Sequence, residues 1–142
     1  MLLIVSRLCL LACITVCSLG VACDGAIHVK GRVYSQKNSS GDSQAFIDQP
    51  PPSSADLSPI KDAKVTLYHG GNYSPDEAKN SDLRKNSTLT AADGSFEVGG
   101  LTSPFRFNAA LIVEKDGYKQ ITKVFYHDKV GHEALIILVP VK

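Results

Sequence analysis

Apolar and polar positions alternate along most of this chain. Ile27, Val29, Gly31 and Val33 alternate with His28, Lys30, Arg32 and Tyr34, the period of a half-buried strand. The period returns over residues 60–68, where Ala63, Val65 and Leu67 alternate with Asp62, Lys64, Thr66 and Tyr68. Residues 91–98 read as a hairpin, because Asp93-Gly94 supplies the positive φ that its central positions need. Gly99-Gly100 breaks the strand that follows. Residues 105–114 and 118–127 read as two strands joined around Lys115-Asp116-Gly117. Residues 134–139 are continuously apolar, which predicts a strand buried on both faces or near a sheet centre. About seven short strands separated by turn signals predict a single antiparallel β-sandwich, all-β in class.

Two stretches depart from this pattern. Residues 35–59 are rich in Ser, Gln, Asn, Asp and Pro, with Phe46, Ile47 and Leu57 as the large apolar residues. Such a segment cannot offset its ordering entropy, which predicts a long disordered or irregular insertion after the first strand, a mobile loop. Residues 69–85 form a second insertion. His69-Gly70-Gly71-Asn72 marks a turn, and Ser74-Pro75-Asp76-Glu77 has the form of a short helix start.

Four motifs follow one another in order: Val29-x-Gly31-x-Val33, Ile60-x-x-Ala63-x-Val65-x-Leu67, Thr90-x-x-Asp93-Gly94-x-Phe96 and Val113-x-Lys115-x-Gly117-Tyr118. Over most of residues 26–141 this order resembles the carboxypeptidase regulatory-like, transthyretin-like family of β-sandwich modules. The resemblance implies a transthyretin/prealbumin-like sandwich. It also implies a non-catalytic module that binds or scaffolds, so the chain is expected not to be an enzyme.

The N-terminus carries a different signal. Arg7 precedes an apolar run, residues 8–22, that ends at Cys23-Asp24-Gly25. This is the pattern of an export signal over residues 1–22. Val21-Ala22-Cys23 resembles the processing site of a bacterial lipoprotein, which implies a lipid on Cys23, a short tether over 23–25 and the sandwich over 26–142. The small residues Gly20 and Ala22 also suit the general signal peptidase, which would leave a secreted or periplasmic protein. Cys9, Cys13, Cys17 and Cys23 all lie in this segment, so no disulfide is available to the sandwich. The expected location is the face of a bacterial membrane. The expected partners are that membrane, reached through the lipid, and a protein of the envelope.

Charge excludes one class of partner. Of 15 Lys and Arg residues one is Arg7, which leaves 14 against 14 Asp and Glu. No net field draws the chain to nucleic acid.

Candidate chemistry centres on the histidines at 28, 69, 127 and 132. His127 and His132 flank residues 128–131, and a hairpin there would set them opposite each other. With Asp128 or Glu133 the pair could hold a metal; otherwise both are wet loop-end residues. Tyr68 and Tyr73, with nearby polar groups, are candidates for a small-ligand or carbohydrate site or a partner loop. A third reading is a hydrolase around His127 and His132. Transthyretin-like enzymes acting on hydroxyisourate end in Tyr-Arg-Gly-Ser, where this chain has Val139-Pro140-Val141-Lys142. Gly-x-Ser-x-Gly and His-Glu-x-x-His motifs are absent, so no catalytic residue and no cofactor is expected.

Overall fold

Period-two burial runs through β1 (Gly25–Gln36), where Ile27, Val29 and Val33 are buried and the residues between them face outward. The computed structural model describes residues 25–36, 41–50, 56–75, 83–102 and 106–142. The export segment, Cys23 and the helix start at Asp76-Glu77 lie outside the described residues.

Eight further strands follow: β2 (Gln44–Ile47), β3 (Leu57–Pro59), β4 (Lys64–His69), β5 (Arg84–Leu89), β6 (Ser95–Thr102), β7 (Phe107–Glu114), β8 (Ile121–His127) and β9 (Gly131–Leu138). They form two sheets. One runs β2-β9-β1, with β6 and β3 sharing the far edge of β1; the other runs β5-β4-β7-β8. The fold is the expected all-β sandwich. Side chains from the inner faces meet in one core, among them Val29, Val65, Leu67, Phe96, Leu111, Phe125 and Ile136.

One pairing is parallel. β1 and β9 run side by side from His28↔Gly131 to Ser35↔Leu138. The first and last strands of the chain thus become sheet neighbours, which no local turn could arrange. β9 has β1 on one side and β2 on the other, and this explains its continuous apolar run: Ile136, Ile137 and Leu138 are all buried.

Three expectations need correction. The segment 35–59 is not wholly irregular, since it carries β2 against β9 and β3 against β1. Edge strands need few apolar side chains, because the ladder is made by backbone groups, and Ala45, Phe46 and Ile47 suffice. The Asp93-Gly94 turn does not close a hairpin, because β5 and β6 belong to different sheets. Gly94 alone of the pair has positive φ, at 76°, and Asp93 Oδ1 accepts from Ser95 N at 3.0 Å. The turn therefore carries the chain from one sheet to the other. Finally, Gly99 and Gly100 do not interrupt β6, which runs through both. They open space instead: a Cβ on Gly100 would lie 2.9 Å from His69 Nε2.

Thr90 secures the crossing. Its hydroxyl donates to Ile60 O at 2.6 Å and accepts from Ala63 N at 2.9 Å, which ties the start of β4 to the end of β5.

Candidate functional site

The sandwich gathers its buried histidines at one end. β4 ends on His69, β8 ends on His127, and β9 begins at Gly131-His132. Each histidine continues the inward phase of its strand: Val65 and Leu67 lead to His69, Phe125 leads to His127, and His132 leads to Ala134 and Ile136. All three are buried, with His69 at 1% and His132 at 2% exposure.

Residues 128–130 do not form a hairpin between paired strands, because β8 and β9 lie in different sheets. His127 and His132 therefore face each other across the space between the sheets, not along one sheet. His127 Nδ1 and His132 Nε2 are 3.3 Å apart. His127 packs on Phe107 with ring centroids 4.8 Å apart, and His132 meets Phe125 edge-on at 4.9 Å. The expectation that both are wet loop-end residues is thus replaced by burial among aromatic rings.

The carboxylate partner is neither Asp128 nor Glu133. It is Asp48, just past the end of β2, in the segment that the composition marks as a loop. Asp48 Oδ2 lies 2.7 Å from His132 Nδ1. Its Oδ1 accepts from Glu133 N at 3.0 Å and pairs with Lys129 Nζ at 3.1 Å. Asp48 has a φ of 53°, a conformation rare outside glycine. Its own N–H donates to Glu133 O at 2.8 Å, so backbone and side chain hold it from both sides. Partial burial pushes its acidity the wrong way, but the donors from Glu133, His132 and Lys129 outweigh that and hold it below the usual carboxylate range.

An ionised carboxylate only accepts, so His132 Nδ1 carries the proton that faces it. In the neutral ring Nε2 is then a bare lone pair aimed at His127. Asp48, His132 and His127 make one polar line running from the surface into the sandwich. At its outer end is a cleft of about 660 Å³ bordered by His28, Lys30, Asp48, Lys129 and Glu133.

His69 lies apart from this line. Neither of its ring nitrogens has a hydrogen-bond partner among the described residues. Burial lowers its proton affinity first, with Arg84 and His127 adding to the effect. Burial likewise lowers that of His127, with His132 as the next cause and Asp128 opposing. The structure makes His69 the buried end of β4, whereas the sequence marks it as a turn residue and one of four candidate histidines. Asp48 carried no signal there at all.

Two buried bases with depressed proton affinity give a pH dependence of known sign. The unfolded chain holds more protons than the folded one once pH falls below the ordinary imidazole value of 6.5. Stability is therefore full above that value and is lost as pH falls through it toward the depressed folded values. His69→Leu removes two orphaned polar atoms and is expected to raise stability by about 1 kcal/mol while flattening this slope. Urea titrations between pH 5 and pH 8 check both effects; a less stable variant would mean that His69 has a packing role.

Tyr68 and Tyr73 do come together, with ring centroids 5.6 Å apart and Lys85 Nζ 5.8 Å from the Tyr68 ring. They lie away from the histidines, since Tyr68 alternates with the inward Leu67 and His69. Tyr73 is 8% exposed, and its N–H donates to Asn108 O at 2.7 Å, so it packs its loop onto the sheet. His28 stands outside the cluster, half-exposed and 2.7 Å from Glu97.

No family model matches the chain, and no curated protein matches it. Solved structures do. The chain is similar to 3-chlorocatechol 1,2-dioxygenase from Rhodococcus opacus 1CP, with a TM-score of 0.54 and 12% identity over 86% of this chain. It spans 62% of that enzyme's length. Catechol 1,2-dioxygenase from Pseudomonas arvilla C-1 follows at a TM-score of 0.49 and 11% identity, covering 87% of this chain and 55% of the enzyme. The dioxygenase domain of a carbohydrate-binding fusion from Streptomyces sp. SirexAA-E scores 0.46 at 13% identity, covering 84% of this chain and 82% of the domain. At such identities the likeness establishes the fold and not the reaction. It does overturn the expectation that the chain is not an enzyme, because the sandwich it resembles is that of an enzyme.

Proposed function

We propose that this chain is an exported, lipid-anchored β-sandwich of the carboxypeptidase regulatory-like type that binds a small ligand at its histidine end. The observation that carries the reading is the buried line Asp48–His132–His127, with the unpartnered nitrogens of His69 nearby. Burying the His69 imidazole with both nitrogens unpartnered among the described residues costs stability, which a purely structural module would avoid with an apolar residue. Such a cost is typical of a site kept for binding.

A thermal-shift panel of catechol, monosaccharides and divalent cations tests it. At least one probe is expected to raise the melting temperature of the chain and to leave that of His132→Asn unchanged. A ligand at about 100 times its Kd adds about 2.7 kcal/mol. If no probe acts, or if the shift survives in His132→Asn, the binding reading is wrong.

The anchor rests on Val21-Ala22-Cys23 and is tested separately. Mass spectrometry of the mature N-terminus is expected to show an acylated Cys23, and a free thiol would overturn it.

A second reading is acid–base catalysis, favoured by the alignment of Asp48, His132 and His127, in which a carboxylate orients one imidazole toward another. Its measure is hydrolysis of 4-nitrophenyl acetate, expected to be faster than in buffer and to fall in His127→Asn. Equal rates in the two proteins would sink it.

A further inference from the structure

The geometry points to a divalent transition-metal site between the two sheets, ligated by His127 Nδ1 and His132 Nε2, with open positions for water or an incoming ligand. This deepens the binding reading above and rests on it.

The first argument is the distance. The two nitrogens are 3.3 Å apart, at the long end of hydrogen-bond reach. Zinc–imidazole bonds of about 2.0–2.1 Å meeting at the tetrahedral angle place their nitrogens about 3.3 Å apart. The separation of the two nitrogens thus matches that of two imidazoles on one tetrahedral cation.

The second argument is the tautomer. His132 Nδ1 faces the Asp48 carboxylate at 2.7 Å, which leaves Nε2 as the lone pair that points into the gap. A metal-bound histidine typically donates its other ring N–H to a carboxylate in this manner. Asp48 is itself held by Glu133 N and Lys129, so the outer support of the site is complete without a metal.

The third argument is the surroundings. Phe107 and Phe125 lie against the two rings and limit competition from bulk water. The donors are imidazoles only, which suits zinc or copper and excludes calcium and magnesium, both of which want oxygen. Among the described residues no three His, Cys, Asp or Glu side chains group into a closed metal site. With His127 and His132 as its two protein ligands, the cation would complete its coordination with water or an incoming ligand.

Zinc alone is the probe, added to the full chain with its cysteine thiols alkylated. Calorimetry is expected to find one zinc per chain. Binding is expected to weaken about tenfold or more in Asp48→Asn, because the support of His132 is lost. It is expected to vanish in His127→Leu and His132→Leu, and to be unchanged in His28→Gln, which removes the exposed His28–Glu97 pair.

Since a leucine variant can lose its fold, ring-proton NMR of the unsubstituted chain supplies a second readout. The His127 and His132 signals are expected to move with zinc while those of His28 stay in place. The proposal is overturned if zinc does not bind, if those two rings do not respond, or if binding depends on His28 instead. If zinc fails while another probe still requires His132, the metal falls and the small-ligand reading stands. If every probe fails, both fall.

Discussion

Gly31→Ala is expected to destabilise this protein by about 3 kcal/mol or more, beyond the usual range for overpacking. Gly31 sits mid-way along β1, paired with Phe96 of β6 on one side and Ala134 of β9 on the other. A Cβ added there would overlap the carbonyl oxygen of Ala134 and lie 2.8 Å from its carbonyl carbon. That oxygen belongs to the backbone of a central strand and cannot swing aside like a side chain. The parallel β1–β9 ladder must separate to admit the methyl group, and that ladder joins the two ends of the domain. Gly131→Ala is the control. A Cβ at Gly131 meets nothing within 4 Å, so its effect should stay within about 0.5 kcal/mol. Urea midpoints of the two variants decide the matter, and equal shifts would refute the close-approach argument.

Leu111→Ala should cost about 2–5 kcal/mol, the range for emptying a well-packed core position. Leu111 is fully buried at the centre of β7, opposite Leu67 of β4 and Lys123 of β8. No disulfide restrains the sandwich, so its stability rests on such contacts, and small domains have only about 5–15 kcal/mol in all. Leu101→Ala removes the same atoms from a side chain that is 62% exposed and should cost about 0.5 kcal/mol or less. Comparable melting shifts in the two variants would mean that the core lies elsewhere.

The histidine site has the opposite energetic character. Gly31 and Leu111 are where the fold tolerates no change, whereas His69 is where it carries a cost. A stabilising His69→Leu beside a damaging Leu111→Ala would separate residues kept for binding from residues kept for packing.

Much of the fold was legible in the chain because alternation is local. Burial of Val65 and Leu67, or of Ile27 and Val29, needs no knowledge of what lies opposite. The run at 134–139 announced a strand buried on both faces or near a sheet centre, and β9 lies between β1 and β2. The Asp93-Gly94 turn misled because its residues report a turn and not its destination. It leads between sheets, β5 lying in one and β6 in the other, and Gly94 O accepts from Val33 N of β1 at 2.9 Å.

The site was legible only in part. His127 and His132 stood out because five positions separate them and a turn lies between. Their true relation, across the sandwich and not along a sheet, depends on β8 and β9 joining different sheets. The expectation of a non-enzymatic module came from family likeness and yielded to a structural one, since neither motif order nor composition reports which folds carry catalysis.

By itself the sequence determined the fold class, the strands of strong period and the absence of any disulfide in the sandwich. Those follow from neighbouring residues, whose side chains must point to opposite faces of a pleated strand. Only the tertiary structure decided that β1 and β9 pair in parallel and that Asp48 holds His132, 84 residues away. Contacts of that reach are chosen by the packing of the whole sandwich, which sums many small burial energies that no local pattern records.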